Sequence, residues 1–299
     1  MNSPRDQLSN TQIEALIKLL DDPDESVFTE VKNQLLLLGP VALPYLEKVW
    51  NDAMNSWITQ RVEEIIEDIK FNELANDLIK WKYHQQEDLF YAVWLINRFQ
   101  YPEVTPESLN KKIEQIKKDI WIEFAEDLTA LEEVMIINHI LYEVHQFSPN
   151  IANYNAVQNN YLHYVLENKK GNNISLGILY LLLAQKLDIP IFAINIPGYL
   201  ILSYINDAIN LYDANFQSLQ DATLFYINPF SKGILLQKED ILQFLEQTHI
   251  PYNKDCFIPC SNADIIEKLL LSIAHSYAQQ SNTTLYSKYK NVAEKLKRE

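Results

Sequence analysis

The sequence predicts an α+β protein that is mostly helical, with one small antiparallel sheet. Three observations lead to this fold class. Only five of the 299 residues are glycine and 47% are hydrophobic, which favours long, well-packed helices. Residues 174–187 form an almost continuous apolar run that is long enough for a buried helix. Short β-rich segments bounded by turn residues follow it, at 191–196, 200–205, 208–212 and 224–227.

The first part of the chain is predicted to form paired short helices. One apolar stripe is made of Ile13, Leu16, Ile17 and Leu20. Asp22 is expected to cap the second helix, with Pro23 at its first position, and Gly39-Pro40 to end it. The turn L-L-D-D-P-D-E-S-V, followed by L-L-L-L-G-P, resembles a HEAT-type helical pair. Residues 1–73 are therefore predicted to be a HEAT-like helical region.

Helices are predicted to continue through residue 148. Thr105-Pro106 opens one of them, and Thr129 with Glu132 forms a capping box before another. The polar segment 149–160 is expected to be a loop. The predicted domains are the helical region 1–73, a core with its preceding helices at 74–260, and a closing helical hairpin at 261–299, formed by helices 264–279 and 283–297.

Charge and targeting signals limit the possible partners. The formal net charge is −15, and such a field repels phosphate backbones, so nucleic acid is not expected as a partner. No apolar run reaches membrane-spanning length, and the N-terminus has no signal-peptide apolar region. We therefore expect no membrane partner and a cytoplasmic location.

The cysteines and histidines predict no metal or other cofactor. Cys256 and Cys260 are the only cysteines, which is neither a disulfide framework nor a zinc set. They are either two small packed residues or a redox-sensitive pair. His139 and His145 are six residues apart, a spacing that does not put them on one helix face.

Three ordered motifs carry a resemblance to a known family. They are N-Y-L-H-Y-V-L-E-N-K-K-G-N-N-I-S-L-G-I-L-Y-L-L-L-A-Q-K-L-D-I-P at 160–190, I-P-G-Y-L-I-L at 196–202 and F-Y-I-N-P-F-S-K-G at 225–233. Together they resemble the SirB-type branch of the transglutaminase-like superfamily, and I-N-H-I-L-Y-E-V-H-Q-F at 137–147 also fits it. The resemblance implies a papain-like fold, with a nucleophilic Cys at the start of the central helix, a His on the next strand and a carboxylate on the strand after that.

The resemblance places other residues at all three catalytic positions. Counting back seventeen residues from Pro190 leads to Asn173, the His position after the Pro-Gly turn is Tyr199, and the carboxylate position before a Pro is Asn228. Asn is not a nucleophile of this kind, and Tyr, with a pKa near 10, is a poor base at neutral pH. These three residues are expected to lie close together in structural roles, as a degenerate triad.

The functional prediction is a catalytically inactive transglutaminase-like protein that acts as a protein- or peptide-binding scaffold. The alternative is a hydrolase or acyl-transferase of this superfamily with a displaced catalytic set, for which Ser175 and Asp213 are the polar candidates beside Tyr199. Under the first hypothesis Ser175 caps the helix and Asp213 lies in a turn.

Overall fold

The structure, a computed structural model, describes residues 10–52, 56–206 and 215–297. The chain divides into two compact units, Met1–Lys80 and Trp81–Glu299. Helices dominate the described residues and a four-stranded antiparallel sheet accompanies them, which confirms the predicted fold class. The predicted strand at 208–212 lies outside the described residues. The division into 1–73, 74–260 and 261–299 stays a prediction.

The first unit is built from helices around an apolar core. The helices are α1 (Asn10–Lys18), α2 (Glu25–Leu38), α3 (Leu43–Asp52) and α4 (Ser56–His84). Their core includes Leu20, Val31, Leu35, Leu46 and Ile65. The HEAT-type character of this unit stays a prediction.

The start of α2 differs from the prediction. Asp24, and not Asp22, caps the helix, because its carboxylate accepts a hydrogen bond from the Ser26 amide at 2.8 Å. The Asp22 carboxylate is used in the preceding turn, where it accepts from the Asp24 amide at 2.9 Å. Pro23 therefore lies outside the helix. Gly39 ends α2 with φ +62°, as expected for a residue without a Cβ.

The second unit contains nine further described helices and six strands. The helices are α5 (Leu89–Gln100), α6 (Pro106–Glu123), α7 (Ala130–Asn138), α8 (Leu162–Asn168), α9 (Asn173–Lys186), α10 (Phe216–Ala222), α11 (Lys238–Gln247), α12 (Asn262–Gln279) and α13 (Thr283–Lys297). The strands are β1 (Ser148–Pro149), β2 (Lys170–Gly171), β3 (Ile191–Ala193), β4 (Leu202–Ile205), β5 (Thr223–Asn228) and β6 (Ile234–Leu236). The Thr129–Glu132 capping box begins α7 as predicted.

Helix α9 is the buried centre of this unit. Every residue from Asn173 to Ala184 is buried, which confirms the prediction made from the apolar run at 174–187. The helix has no polar face, so neighbouring elements must cover it on all sides. Gly177 allows the closest of these approaches, since a Cβ there would lie 2.6 Å from Leu200 Cδ2. The segment before β4 is thereby held against the first half of α9.

The sheet is an antiparallel meander in the order β3-β4-β5-β6. Leu202 pairs with Ile227, and Tyr226 pairs with Leu236. The sheet extends to Leu236, beyond the last predicted strand at 224–227, because Lys232 and Gly233 have positive φ angles that reverse the chain into β6. The parallel pair β1–β2 was also not predicted, since its two-residue strands are too short to show a period.

No helix in the described part of the chain is long and apolar enough to cross a lipid bilayer.

Candidate functional site: two cavities at the start of the central helix

The start of α9 is held by Asn172. Its side-chain oxygen accepts hydrogen bonds from the Ile174 and Ser175 amides at 3.0 and 2.9 Å, and the Asn172 amide donates to Ser175 Oγ at 3.0 Å. The expectation that Ser175 caps the helix is therefore wrong in detail: Asn172 is the cap, and Ser175 is the third helical residue of the capping box. Asn172 caps the helix because its side chain, from the position just before the first turn, reaches the free amides of that turn.

Asn172 also belongs to a buried polar network. Its Nδ2 donates to Asn160 Oδ1 at 2.7 Å and to Ser272 Oγ at 3.2 Å. Ser272 Oγ donates to Asn160 Oδ1 at 2.6 Å, and Asn160 Nδ2 donates to Ser276 Oγ at 3.1 Å. Every polar atom of the Asn172 side chain has a partner, so this network ties the start of α9 to α12.

In the next residue, Asn173, only one of the two polar side-chain atoms has hydrogen-bond partners among the described residues. Its Nδ2 donates to the Tyr154 hydroxyl at 2.7 Å and, more weakly, to the Gly198 carbonyl at 3.4 Å. Its Oδ1 is buried and has no hydrogen-bond partner among the described residues, and the whole residue is only 7% exposed. An unsatisfied buried carbonyl costs about 1–3 kcal/mol, and such a cost in a folded protein calls for an explanation.

Asn173 forms part of the wall of a cavity of about 530 Å³, here called the apolar cavity. Tyr199 and Asn228 line the same cavity. The structure thus brings together all three residues that the resemblance singled out, although their descent from a catalytic triad stays a prediction. The other lining residues are Ile151, Tyr154, Leu200, Ile201, Phe230, Ser231 and Phe244.

Tyr199 and Asn228 are both engaged in local contacts. The Tyr199 ring packs edge-to-face on Phe244, with 4.8 Å between the ring centroids. Asn228 Oδ1 accepts from the amides of Phe230 and Ser231 at 3.1 and 3.3 Å and so caps the turn after β5. An uncharged amide held in this way carries no charge to stabilise an imidazolium.

Tyr154 completes the polar groups of the apolar cavity. Burial raises the pKa of its hydroxyl, and the hydrogen bond from Asn173 opposes that shift without cancelling it. The hydroxyl is therefore protonated at neutral pH, where it binds hydrogen-bond partners and is a poor base.

A second cavity, of about 610 Å³, lies on the other side of Asn173 and is here called the polar cavity. It shares Tyr154 and Asn173 with the apolar cavity. Its polar lining includes Asn155, Asn172, Asn195, Asn253, Asp255, Glu267, Lys268, Ser272, His275 and Lys297. The sequence analysis missed this site, because its residues come from separate segments that share no motif or period.

Lys268 is a partly buried cation in the wall of the polar cavity. Its Nζ donates to the Ile196 carbonyl at 2.7 Å, and burial lowers the pKa of the ammonium. The nearby carboxylates of Asp264 and Glu267 favour its charged form, but they are bonded elsewhere, to Ser261 and, at 3.5 Å, to Lys297. Lys268 itself forms no ion pair with a carboxylate among the described residues.

The remaining candidate residues lie apart from a common centre. The Ser175 hydroxyl is buried in the capping box, and Asp213 lies outside the described residues. Cys256 is buried and lines the polar cavity. Burial raises the pKa of the Cys260 thiol to about 12, which keeps it protonated and weakly reactive at neutral pH.

The two histidines of interest pair with separate carboxylates. His139 Nδ1 lies 3.1 Å from Glu143 Oε2, and His145 Nε2 lies 2.9 Å from Asp119 Oδ2. Within residues 10–52, 56–206 and 215–297, no three His, Cys, Asp or Glu residues are grouped as a metal site.

Comparison with known proteins identifies the family of this chain. The family model described as "Transglutaminase-like superfamily" matches residues 107–271, which include both cavities' shared wall. The F-box only protein 21 of Mus musculus is 32% identical over 102 residues, covering 32% of this chain and 14% of that protein. A UPF0162 protein of Haemophilus influenzae is 29% identical over 114 residues, covering 37% of this chain and 43% of that protein.

A UPF0162 protein of Xylella fastidiosa is 26% identical over 120 residues, covering 40% of this chain and 43% of that protein. The chain therefore spans less than half the length of these curated relatives. No solved structure matches the chain at a significant level.

Proposed function

We infer the function from the premise that this chain belongs to the transglutaminase-like superfamily. We propose that it does not perform the Cys–His–carboxylate chemistry which the resemblance implies, and that it binds a peptide segment of a protein partner in the apolar cavity.

One observation carries this proposal: Asn173, Tyr199 and Asn228 line a single cavity, and none of them supplies a nucleophile or a base. Asn173 holds Tyr154, and Asn228 caps a turn. A catalytic set needs a nucleophile within hydrogen-bond reach of a base, and a third group that orients the base. Under this proposal the cavity lies where such a site would be, and its polar side chains make structural contacts instead.

The lining of the apolar cavity favours an apolar side chain as its occupant. Ile151, Leu200, Ile201, Phe230 and Phe244 are five of its ten lining residues, and the rings of Tyr154 and Tyr199 add further apolar surface. A volume of about 530 Å³ falls in the range of ordinary ligand pockets. Ile151 is 76% exposed at this cavity, so an apolar contact with a bound segment is available at its solvent edge.

The first test is for catalysis. The purified chain is incubated with a glutamine-containing peptide and a fluorescent primary amine, and acyl transfer and amide hydrolysis are followed together. We expect neither product above the rate in buffer. A product that forms with the purified chain and disappears when Tyr199→Phe or Ser175→Ala is introduced would overturn the proposal in favour of the hydrolase or acyl-transferase alternative.

The second test is for binding. An immobilised library of random octapeptides is screened with the labelled chain, and the best peptides are measured by fluorescence anisotropy. Ile151→Asp places a charge at the edge of the apolar cavity and should weaken binding about tenfold or more. Ile122→Asp is the matched control, because Ile122 is 64% exposed on α6 and does not line either cavity. Equal affinity of both variants would contradict the proposed site.

A further inference from the structure

The two cavities meet at one wall. Tyr154 and Asn173 line both of them, so a ligand in the apolar cavity lies next to the polar one. The two cavities differ in charge, since the apolar cavity is lined by Leu, Ile, Phe and uncharged polar residues, whereas Asp255, Glu267, Lys268 and Lys297 line the polar cavity. A single ligand that fills both needs an apolar part and a polar end.

A single turn connects the groups that would hold such a ligand. Residues Ile196–Tyr199 form a reverse turn closed by the Tyr199 amide and the Ile196 carbonyl at 3.2 Å, with Gly198 at φ +74°. Lys268 Nζ donates to the Ile196 carbonyl, and Asn173 Nδ2 donates to the Gly198 carbonyl. The Lys268 ammonium and the Asn173 side-chain amide therefore donate to carbonyls that are two residues apart in the same turn.

Lys268 has capacity for an anion. An ammonium has three donors, and among the residues that the structure describes only the Ile196 carbonyl accepts from one of them. A partly buried cation without a direct ion pair costs free energy unless it gains a partner. A carboxylate is the partner that charge and hydrogen bonding both favour.

The other polar groups of the polar cavity are compatible with that partner. Asn195, Asn253 and His275 line it and can donate hydrogen bonds to a carboxylate. Two acids also line it and oppose an anion, but Glu267 is paired with Lys297 at 3.5 Å and Asp255 accepts from Asn253 Nδ2 at 2.9 Å.

We propose that the polar cavity binds the C-terminal carboxylate of a partner polypeptide, with Lys268 as its ion-pair partner, while an apolar side chain at or near that C-terminus occupies the apolar cavity. This inference rests on the proposed peptide-binding function and names its ligand class. Asn173, whose Oδ1 is unsatisfied, lines both cavities, and in this arrangement Oδ1 would accept an N–H of the bound segment.

The charge of the protein favours a chain terminus over an acidic side chain. With a net charge of −15, the protein repels acidic peptides at long range. A C-terminal carboxylate is a single negative charge that every polypeptide carries, including neutral and basic ones. A segment with a free C-terminus, an apolar residue near it and neutral or basic residues before it fits both cavities and the surrounding field.

The test compares two synthetic random octapeptide libraries that differ only at the C-terminus, one with free carboxylates and the other amidated. We expect the free-acid library to yield the binders, with apolar residues enriched near the C-terminus, and amidation of the best peptide to weaken its affinity at least tenfold. Lys268→Met should weaken the same peptide to a similar extent and leave the amidated peptide unaffected, whereas Lys268→Arg, which keeps the charge, should retain binding.

Lys290→Met is the matched control, since Lys290 lies on α13, outside the lining of both cavities. This variant should bind the free-acid peptide as tightly as the unmodified chain does. Thermal unfolding of each variant shows that the fold is retained. Peptides that bind equally well when amidated, or that bind through an internal Asp or Glu, would overturn the C-terminal proposal and leave the proposed function standing. Failure of both libraries to bind would overturn the two together.

Discussion

Asn172 and Asn173 are adjacent residues of the same type, and both are buried, at 4% and 7% exposure. Asn172 uses all its polar atoms to cap α9 and to join it to α12. Asn173 holds Tyr154 and the Gly198 carbonyl, and its Oδ1 has no partner among the residues that the structure describes. The comparison separates a residue whose polar atoms are all used within the fold from one that keeps an unused acceptor in the wall of two cavities.

The largest effect is expected from Asn172→Ala. The substitution removes the N-cap and two donors of a buried network, so it should lower the free energy of unfolding by roughly 2–4 kcal/mol. Urea-induced unfolding followed by circular dichroism measures it. Asn172→Asp keeps the cap acceptor but loses the two donors, and it should fall between the Ala variant and the unmodified chain. A loss below about 1 kcal/mol for Asn172→Ala would break the comparison.

The combined variant Asn173→Cys, Tyr199→His and Asn228→Asp is expected to cost less, about 1–3 kcal/mol. Most of this cost is the lost ring contact between Tyr199 and Phe244, while Asp at 228 can still accept from the Phe230 and Ser231 amides. The same urea experiment compares this loss of unfolding free energy with that of Leu179→Ala, which truncates a buried side chain in α9. Leu179→Ala should lower the free energy of unfolding by about 2–5 kcal/mol. We expect no acyl transfer, because an oxyanion hole and a substrate groove are also needed.

Asn173→Ala should change stability by less than about 1 kcal/mol, since the loss of two hydrogen bonds is offset by the removal of an unsatisfied buried oxygen. Its effect should appear in peptide affinity instead, as a weakening measured by anisotropy on the peptides selected above. If Asn173→Ala destabilised the chain as much as Asn172→Ala, the assignment of Asn173 to a binding site would be wrong.

The smallest expected signal concerns nucleic acid. One enclosed ammonium at Lys268 does not outweigh a net charge of −15, so DNA and RNA oligonucleotides should show no measurable binding at physiological salt. Electrophoretic mobility shifts with labelled oligonucleotides check this. A sub-micromolar complex that weakens with added salt would show that the polar cavity, or another surface, accepts anions in general.

Much of the fold could be predicted because local sequence patterns decide it. The capping box at Thr129 and Glu132 and the end of α2 at Gly39 depend on groups within a few residues of each other. Helix α9 followed from an apolar run that only a buried helix accommodates. The predictions failed where two local choices compete, as between Asp22 and Asp24 or between Asn172 and Ser175, and where strands such as β1 and β6 have two or three residues.

Local sequence patterns specify the element types and the buried central helix, and the family resemblance singles out Asn173, Tyr199 and Asn228. What surrounds these three residues depends on how distant segments pack together. The polar cavity joins residues as distant along the chain as Tyr154 and Lys268, and no local period encodes that meeting. Which of two adjacent asparagines is satisfied depends on α12 packing against one side of α9 and a turn against the other. Hydrogen bonding in a buried site is a property of the assembled neighbours, and it becomes visible only when they are in place.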